Sequence, residues 1–147
     1  MDSYTEIVKA GIKDIAALRR LERECFELDA WPMIDLIAVL LIPGIVRLKA
    51  VVDSDMAGFI AADLRRSQRT GWIVTLGVRP AYRRHGIARQ LLLACMESMD
   101  VLRFRLSVRK SNYAALRLYA QQGFHMVDTW ANYYAGGEDA LVLEKIR

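Results

Sequence analysis

The stretch Leu76-Gly77-Val78-Arg79-Pro80-Ala81-Tyr82-Arg83-Arg84-His85-Gly86-Ile87-Ala88-Arg89-Gln90-Leu91-Leu92 decides how this chain is read. The apolar run Trp72–Val78 predicts a strand, and Ile87, Leu91, Ala94 and Cys95 predict a helix from about Gly86 to Met99. A strand that feeds a helix through a short loop leaves the first helical N–H groups unpaired and pointing outward. With the positive end of the helix dipole, those donors form an anion site. Gly86 removes a side chain where an anion must approach the backbone, and Ala88 keeps the next turn small. Arg83, Arg84 and Arg89 set full charges around that mouth, with His85 between them. A diphosphate suits this arrangement, whereas a neutral ligand gains little from it. A helix start in which Gly86 only turns the chain would carry the same short pattern. Gly77 adds context, because a glycine inside a strand marks a bulge or a close approach to the backbone.

The charge around this stretch is local. From Leu64 to Met96 the chain carries Arg65, Arg66, Arg69, Arg79, Arg83, Arg84, Arg89 and His85, and no Asp or Glu. With 21 basic and 17 acidic residues overall, 14 and 17 remain outside it, so the rest is mildly acidic. One basic stretch on an acidic body suggests a localised anion site, although a solvated arginine face has the same composition. The 147 residues, 54% hydrophobic and 26% charged, fit one soluble domain spanning 1–147 and exclude a disordered or fibrous chain. The longest apolar run, Leu36–Ile42, is far short of the roughly 20 residues of a membrane span. The acidic N-terminus predicts no signal peptide. Cys25 and Cys95 make neither a disulfide framework nor a metal site. A cytoplasmic protein with reduced thiols is expected, with no membrane partner and no bound metal.

Further strands are predicted at Thr5–Lys9, Ile45–Val52, Met56–Asp63, Arg103–Val108, Phe124–Trp130 and Ala140–Lys145. Further helices are predicted from Lys13 to about Phe26, over Met33–Leu41, and over Asn112–Gln122 with Asn112 as N-cap and Gly123 past the end. Asp53-Ser54-Asp55 reads as a hairpin turn. The order β-α-α-β-β-β-α-β-α-β-β indicates an α/β chain whose sheet mixes antiparallel and parallel pairs.

Two segments carry a family resemblance. Leu76 to Leu92 resembles the acetyl-CoA-binding motif of the GNAT N-acetyltransferases. Leu106-Ser107-Val108-Arg109 with Asn112, Ala115, Leu118-Tyr119 and Gly123-Phe124 is similar to that family's second motif. The order of elements also matches, so the resemblance covers nearly the whole chain and implies a GNAT fold with a mixed, mostly antiparallel sheet. It implies that Leu76, Gly77 and Val78 receive the pantetheine arm as an added strand. It further implies that the amides from Arg84 to Arg89, through His85, Gly86, Ile87 and Ala88, hold the pyrophosphate beside Arg83.

The implied reaction moves the acetyl group of acetyl-CoA directly to a primary amine. It needs a neutral amine, a donor for the developing oxyanion and a proton for the leaving thiolate. The resemblance assigns the oxyanion to the Val78 amide, beside a bulge at Gly77. It assigns the proton to Tyr119, since a phenol with an ordinary pKa near 10 is protonated at neutral pH. Helical spacing alone would make Tyr119 a core residue. Asn112 caps its helix and, by resemblance, also contacts the cofactor. Cys25 and Cys95 sit on apolar stripes and read as core.

Asn132-Tyr133-Tyr134 and Glu138-Asp139-Ala140-Leu141 are similar to the last hairpin of the RimI-type enzymes, which acetylate protein N-termini, in bacteria that of ribosomal protein S18. There Tyr133 and Tyr134 would line the peptide entrance; an edge hairpin with exposed aromatics is the plainer reading. RimI-type enzymes carry a glutamate base where this chain has Ser107. An α-amine with pKa about 7.8 is roughly one-seventh neutral at pH 7, a cost of about 1 kcal/mol, whereas a lysine at about 10.4 costs roughly 4.6 kcal/mol. The departure is therefore tolerable for an α-amine and serious for a lysine. Glu24, Glu27 or Glu138 is a candidate substitute.

The rivals are acetylation of a small-molecule amine, a non-catalytic acetyl-CoA sensor, and a nucleic-acid-binding domain. The last would want aromatics interleaved with the arginines, where only Trp72 and Tyr82 occur, so no nucleic acid is expected. The chain is expected as a monomer or homodimer.

Overall fold

The computed structural model describes residues 4–26 and 29–147. Among them, seven strands and four helices follow in the expected order. They are β1 (Thr5–Lys9), α1 (Ile15–Cys25), α2 (Met33–Leu41), β2 (Ile45–Val52), β3 (Asp55–Arg65), β4 (Thr70–Val78), α3 (Ile87–Glu97), β5 (Arg103–Arg109), α4 (Tyr113–Gln121), β6 (His125–Trp130) and β7 (Ala140–Ile146). They form one sheet in the order β1-β2-β3-β4-β5-β7-β6. Its pairs are antiparallel except β4 with β5, which are parallel.

Alternation along β3 splits the core in two. Phe59 and Ala61 face α1 and α2, packing with Leu18, Leu21, Leu36 and Leu40. Ile60 and Ala62 belong to the other layer, with Leu91, Leu92 and Cys95 of α3, Leu106 of β5 and Tyr119 of α4. A Cβ at Gly58 would stand 2.8 Å from Leu91 Cδ1, so this glycine lets α3 lie close on the sheet. Among the described residues no helix is long and apolar enough to cross a membrane.

Several boundaries differ from expectation for local reasons. A 3-10 turn, Ile12–Asp14, precedes α1, where the Asp14 carboxylate accepts from the Gly11 N–H at 2.9 Å and pairs with Lys49 at 2.7 Å. β3 and β4 run on to Arg65 and back to Thr70, because the backbone ladder continues beyond the apolar pattern. Asp53 and Ser54 both have positive φ, 50° and 69°, the two-residue hairpin geometry that matches the twist of its strands.

One expectation is corrected. The β4 bulge is not at Gly77, which stays in regular register with Phe59; it is at Val74, where pairing steps from Ala61–Thr75 to Ala62–Ile73. Gly77 instead serves close packing, since a Cβ there would lie 3.1 Å from the Phe26 ring and 3.3 Å from Cys25 Sγ.

Candidate active site

β4 and β5 pair only from Thr70–Arg103 to Ile73–Leu106. Beyond that point the strands part, because β4 heads toward α3 and β5 toward α4. The gap holds a cavity of about 160 Å³, lined along β4 by Ile73 to Leu76 and along β5 by Leu106 to Arg109. Glu22 of α1 and Phe26 just past its end close it on one side, Asn112, Ala115 and Tyr119 on the other, and Tyr134 also lines it. The Arg79 N–H donates to Ala57 O on β3 at 2.8 Å, so strand alternation turns the N–H and C=O of Leu76 and Val78 away from β3, toward this gap. The Val78 carbonyl accepts from Cys25 Sγ at 3.3 Å and from Arg83 Nε at 2.9 Å.

Past β4, the chain turns through Arg84 (φ 67°) and Gly86 (φ 75°) into α3. Among the described residues no side chain caps that helix start, so its leading amides remain available to an anion. Gly86 has nothing within 4 Å of an added Cβ, and its value is a backbone conformation that L residues adopt at a cost. Arg83, Arg84, His85 and Arg89 are exposed around it, while Ile87 is buried and anchors the helix. A diphosphate fits this cradle.

Tyr119 is 6% exposed, packs edge-on against Phe124 at 5.6 Å and lines the cavity. Burial, with Tyr134 as a lesser contributor, pushes its phenol well above the ordinary range, so it holds its proton at any working pH. Asn112 caps α4 by accepting from Ala115 N at 3.2 Å. Tyr134 Oη lies 3.1 Å from Ser107 Oγ across the cavity wall. Tyr133 turns outward instead, into an open groove of about 830 Å³ shared with Trp31, Asp35, Trp72 and Trp130. Trp31, Ile73, Val74 and Ser107 line both spaces, so groove and cavity are neighbours along the Val74 bulge.

The Acetyltransferase (GNAT) family model matches residues 15–124. The chain belongs to that family. It is 35% identical over 116 residues to an N-alpha-acetyltransferase of Saccharolobus solfataricus, covering 69% of this chain and 70% of that protein. It is 33% identical over 102 residues to the ribosomal protein bS18-alanine N-acetyltransferase of Salmonella typhimurium, covering 65% and 68%. The crystal structure of the ribosomal-protein-S18-alanine N-acetyltransferase from Escherichia coli shares the fold, with a TM-score of 0.89 at 23% identity over 97% of this chain and 94% of that one.

Two of the carboxylates considered as bases in this acetyltransferase are engaged elsewhere. Glu24 pairs with Arg79 at 2.7 Å outside the cavity. Glu138 accepts from Ser111 N and from Arg109, both at 3.0 Å, bonds that hold its carboxyl below the usual range. Glu27 lies outside the described residues. Among the described residues two carboxylates line the cavity: Asp29, which Arg109 holds, and Glu22, which sequence reasoning missed. Glu22 is 2% exposed, its Oε2 has no hydrogen-bond partner among the described residues, and burial pushes its carboxyl up to about 7. The signal was present: residue 22 falls on the same helical face as Ile15, Leu18 and Cys25. Cys95 is core as expected, with its thiol pushed up to about 12 by burial, but Cys25 is only half-buried and lies against the end of β4.

Proposed function

We propose that this acetyltransferase transfers the acetyl group of acetyl-CoA directly to the α-amine of a protein or peptide N-terminus, as the RimI-type enzymes do. The reading rests on an aromatic-lined groove lying directly beside the cavity, the two sharing Trp31, Ile73, Val74 and Ser107 as lining. An extended chain in the groove, between α2 and the Trp72–Trp130–Tyr133 row, delivers its first residue to the cavity at Val74 and Ser107. A small amine needs only the cavity, and the groove has no use for it.

In this reading the amides from Arg84 to Arg89 hold the diphosphate, and the backbone of Leu76 with the Val78 N–H meets the pantetheine arm, the Val78 carbonyl being already bonded to Cys25 and Arg83. Acetyl-CoA supplies the activated thioester. The Val78 amide is the donor for charge developing on the carbonyl oxygen, and Tyr119 holds the proton for the departing sulfur. Neither cysteine forms an intermediate. Residues 1–147 act as one domain, in the cytoplasm.

The test is thiol release from acetyl-CoA with acceptors grouped as peptides with free N-termini, N-blocked peptides with internal lysines, polyamines, aminoglycosides and amino acids. Peptides with free N-termini are expected to be the best acceptors, with the acetyl group located on the α-nitrogen by mass spectrometry. A preference for lysine or for any small-molecule class overturns the proposal.

A further inference from the structure

We infer that Glu22 takes the proton from the acceptor's ammonium, filling the role that Ser107 cannot. The inference rests on the acetyl-transfer reading above. Its ground is where the side chain sits and what it lacks. Glu22 projects from the inner face of α1 into the cavity that also contains Ser107 and Tyr119. Its Oε2 is buried and meets no donor among the described residues. A buried carboxylate with no partner is costly, and helix α1 would be more stable with an apolar residue there. Its charge becomes useful when a cation arrives, and the groove leads a terminal ammonium to this cavity.

The surrounding groups leave that role to Glu22. On its own helix, Cys25 donates to Val78 O, and Glu24 is held by Arg79. Arg83, in the loop between β4 and α3, gives its Nε to the same carbonyl. Across the cavity, Asp29 and Arg109 hold each other, Tyr134 bonds Ser107, and Tyr119 is kept protonated by burial. Neither arginine pairs with Glu22, so an incoming ammonium meets an unneutralised acceptor whose affinity for protons matches neutral pH.

The protons balance. The ammonium gives one proton to Glu22, and the neutral nitrogen attacks the thioester carbon. As the C–N bond forms and the C–S bond breaks, Tyr119 protonates the sulfur. The second nitrogen proton restores the phenol, and Glu22 releases its proton to solvent.

The test compares wild type with Glu22→Gln and Glu22→Asp, using a good peptide acceptor. Acetyl-CoA affinity is measured by calorimetry and kcat from pH 5.5 to 8.5. Glu22→Gln is expected to lower kcat at pH 7 about a hundredfold, with acetyl-CoA affinity within about twofold of wild type. Wild-type kcat/KM for the peptide, followed over the same pH range, should fall as pH drops through about 7, with the acid limb of kcat displaced to lower pH; Glu22→Gln should lose both, and Glu22→Asp should retain them at lower rate. An active wild type whose Glu22→Gln variant keeps its rate, or keeps the same acid limb, overturns this inference alone. A wild type that releases no thiol with any amine overturns the reaction and the inference together. Carbon NMR of the Glu22 carboxyl in wild type supplies a readout that needs no variant. Its midpoint should drop when the peptide binds, and an unmoved midpoint overturns the proton transfer.

Discussion

Arg109 grips Asp29 with two parallel hydrogen bonds, Nε to Oδ2 at 2.6 Å and Nη2 to Oδ1 at 2.8 Å, across 80 residues of sequence. The same guanidinium donates to Glu138 at 3.0 Å and to the Ala135 carbonyl at 2.9 Å, and lies 4.9 Å from the centre of the Tyr134 ring. One cation on β5 therefore ties the segment between α1 and α2 to the β6–β7 connection. In the proposed reading, those are the two walls between which the acceptor passes. The planar fork matters as well as the charge, because a bidentate carboxylate contact fixes direction.

Replacing Arg109 by Met should leave two carboxylates facing each other without their cation. About 2 kcal/mol of stability should be lost, below the cost of a fully buried pair because the site is partly open. The acceptor KM should rise at least about tenfold, while acetyl-CoA affinity stays unchanged because the cradle is on α3. Arg109→Lys should fall between the two. Thermal melts and steady-state kinetics check this; an unaltered peptide KM would show that the clasp does not shape the groove.

Gly86→Asp tests the cradle. The position has open space around it, so the folded core should survive with only the modest strain of a left-handed φ. The new carboxylate would stand at the mouth of the helix start that is to receive a diphosphate. Acetyl-CoA affinity should drop more than about a hundredfold, while Gly86→Ala should cost less because it adds strain without charge. Calorimetry that finds tight binding to Gly86→Asp would remove the cradle from the argument.

How much of this was legible beforehand depended on the range of the interaction. Elements set by local pattern, such as the apolar stripe of α3 and the Asn112 cap of α4, lie where periodicity and capping place them. The Val74 bulge was hidden, since neither Val74 nor Thr75 marks an irregularity, while Gly77 drew attention to a close approach that a bulge mimics in sequence. The fates of Glu24 and Glu138 depend on Arg79, 55 residues away, and Arg109, 29 residues away, and no local rule selects such partners. Glu22 was masked by its setting. A carboxylate on an apolar stripe reads as the polar edge of the helix until packing shows that it points inward.

Tyr119→Phe removes one oxygen and keeps the ring against Phe124. Turnover should fall about a hundredfold with acetyl-CoA affinity nearly unchanged. Burial raises the Tyr119 pKa, so the wild-type rate should show no loss from its deprotonation up to about pH 10. Stopped-flow single turnovers separate this step from product release; an unchanged chemical rate would return Tyr119 to a purely structural role.

Glu22 has a folded-state value of about 7 against an ordinary 4.5, raised by burial. A carboxyl whose pKa is higher in the folded state binds its proton more tightly there, so folding penalises the ionised form. Below pH 4.5 both states are protonated and the penalty is absent. It grows between pH 4.5 and 7 and is full above 7, where the shift corresponds to about 3 kcal/mol. Glutamine at position 22 does not titrate. The stability of Glu22→Gln relative to wild type should therefore rise by about 3 kcal/mol from pH 4 to pH 8.5, roughly 10 °C in melting temperature for a chain of this size. Parallel curves for the two proteins would mean that Glu22 is solvated or paired after all. A variant that gains stability where it loses turnover would show that the carboxylate is kept for its chemistry, since packing alone favours its removal.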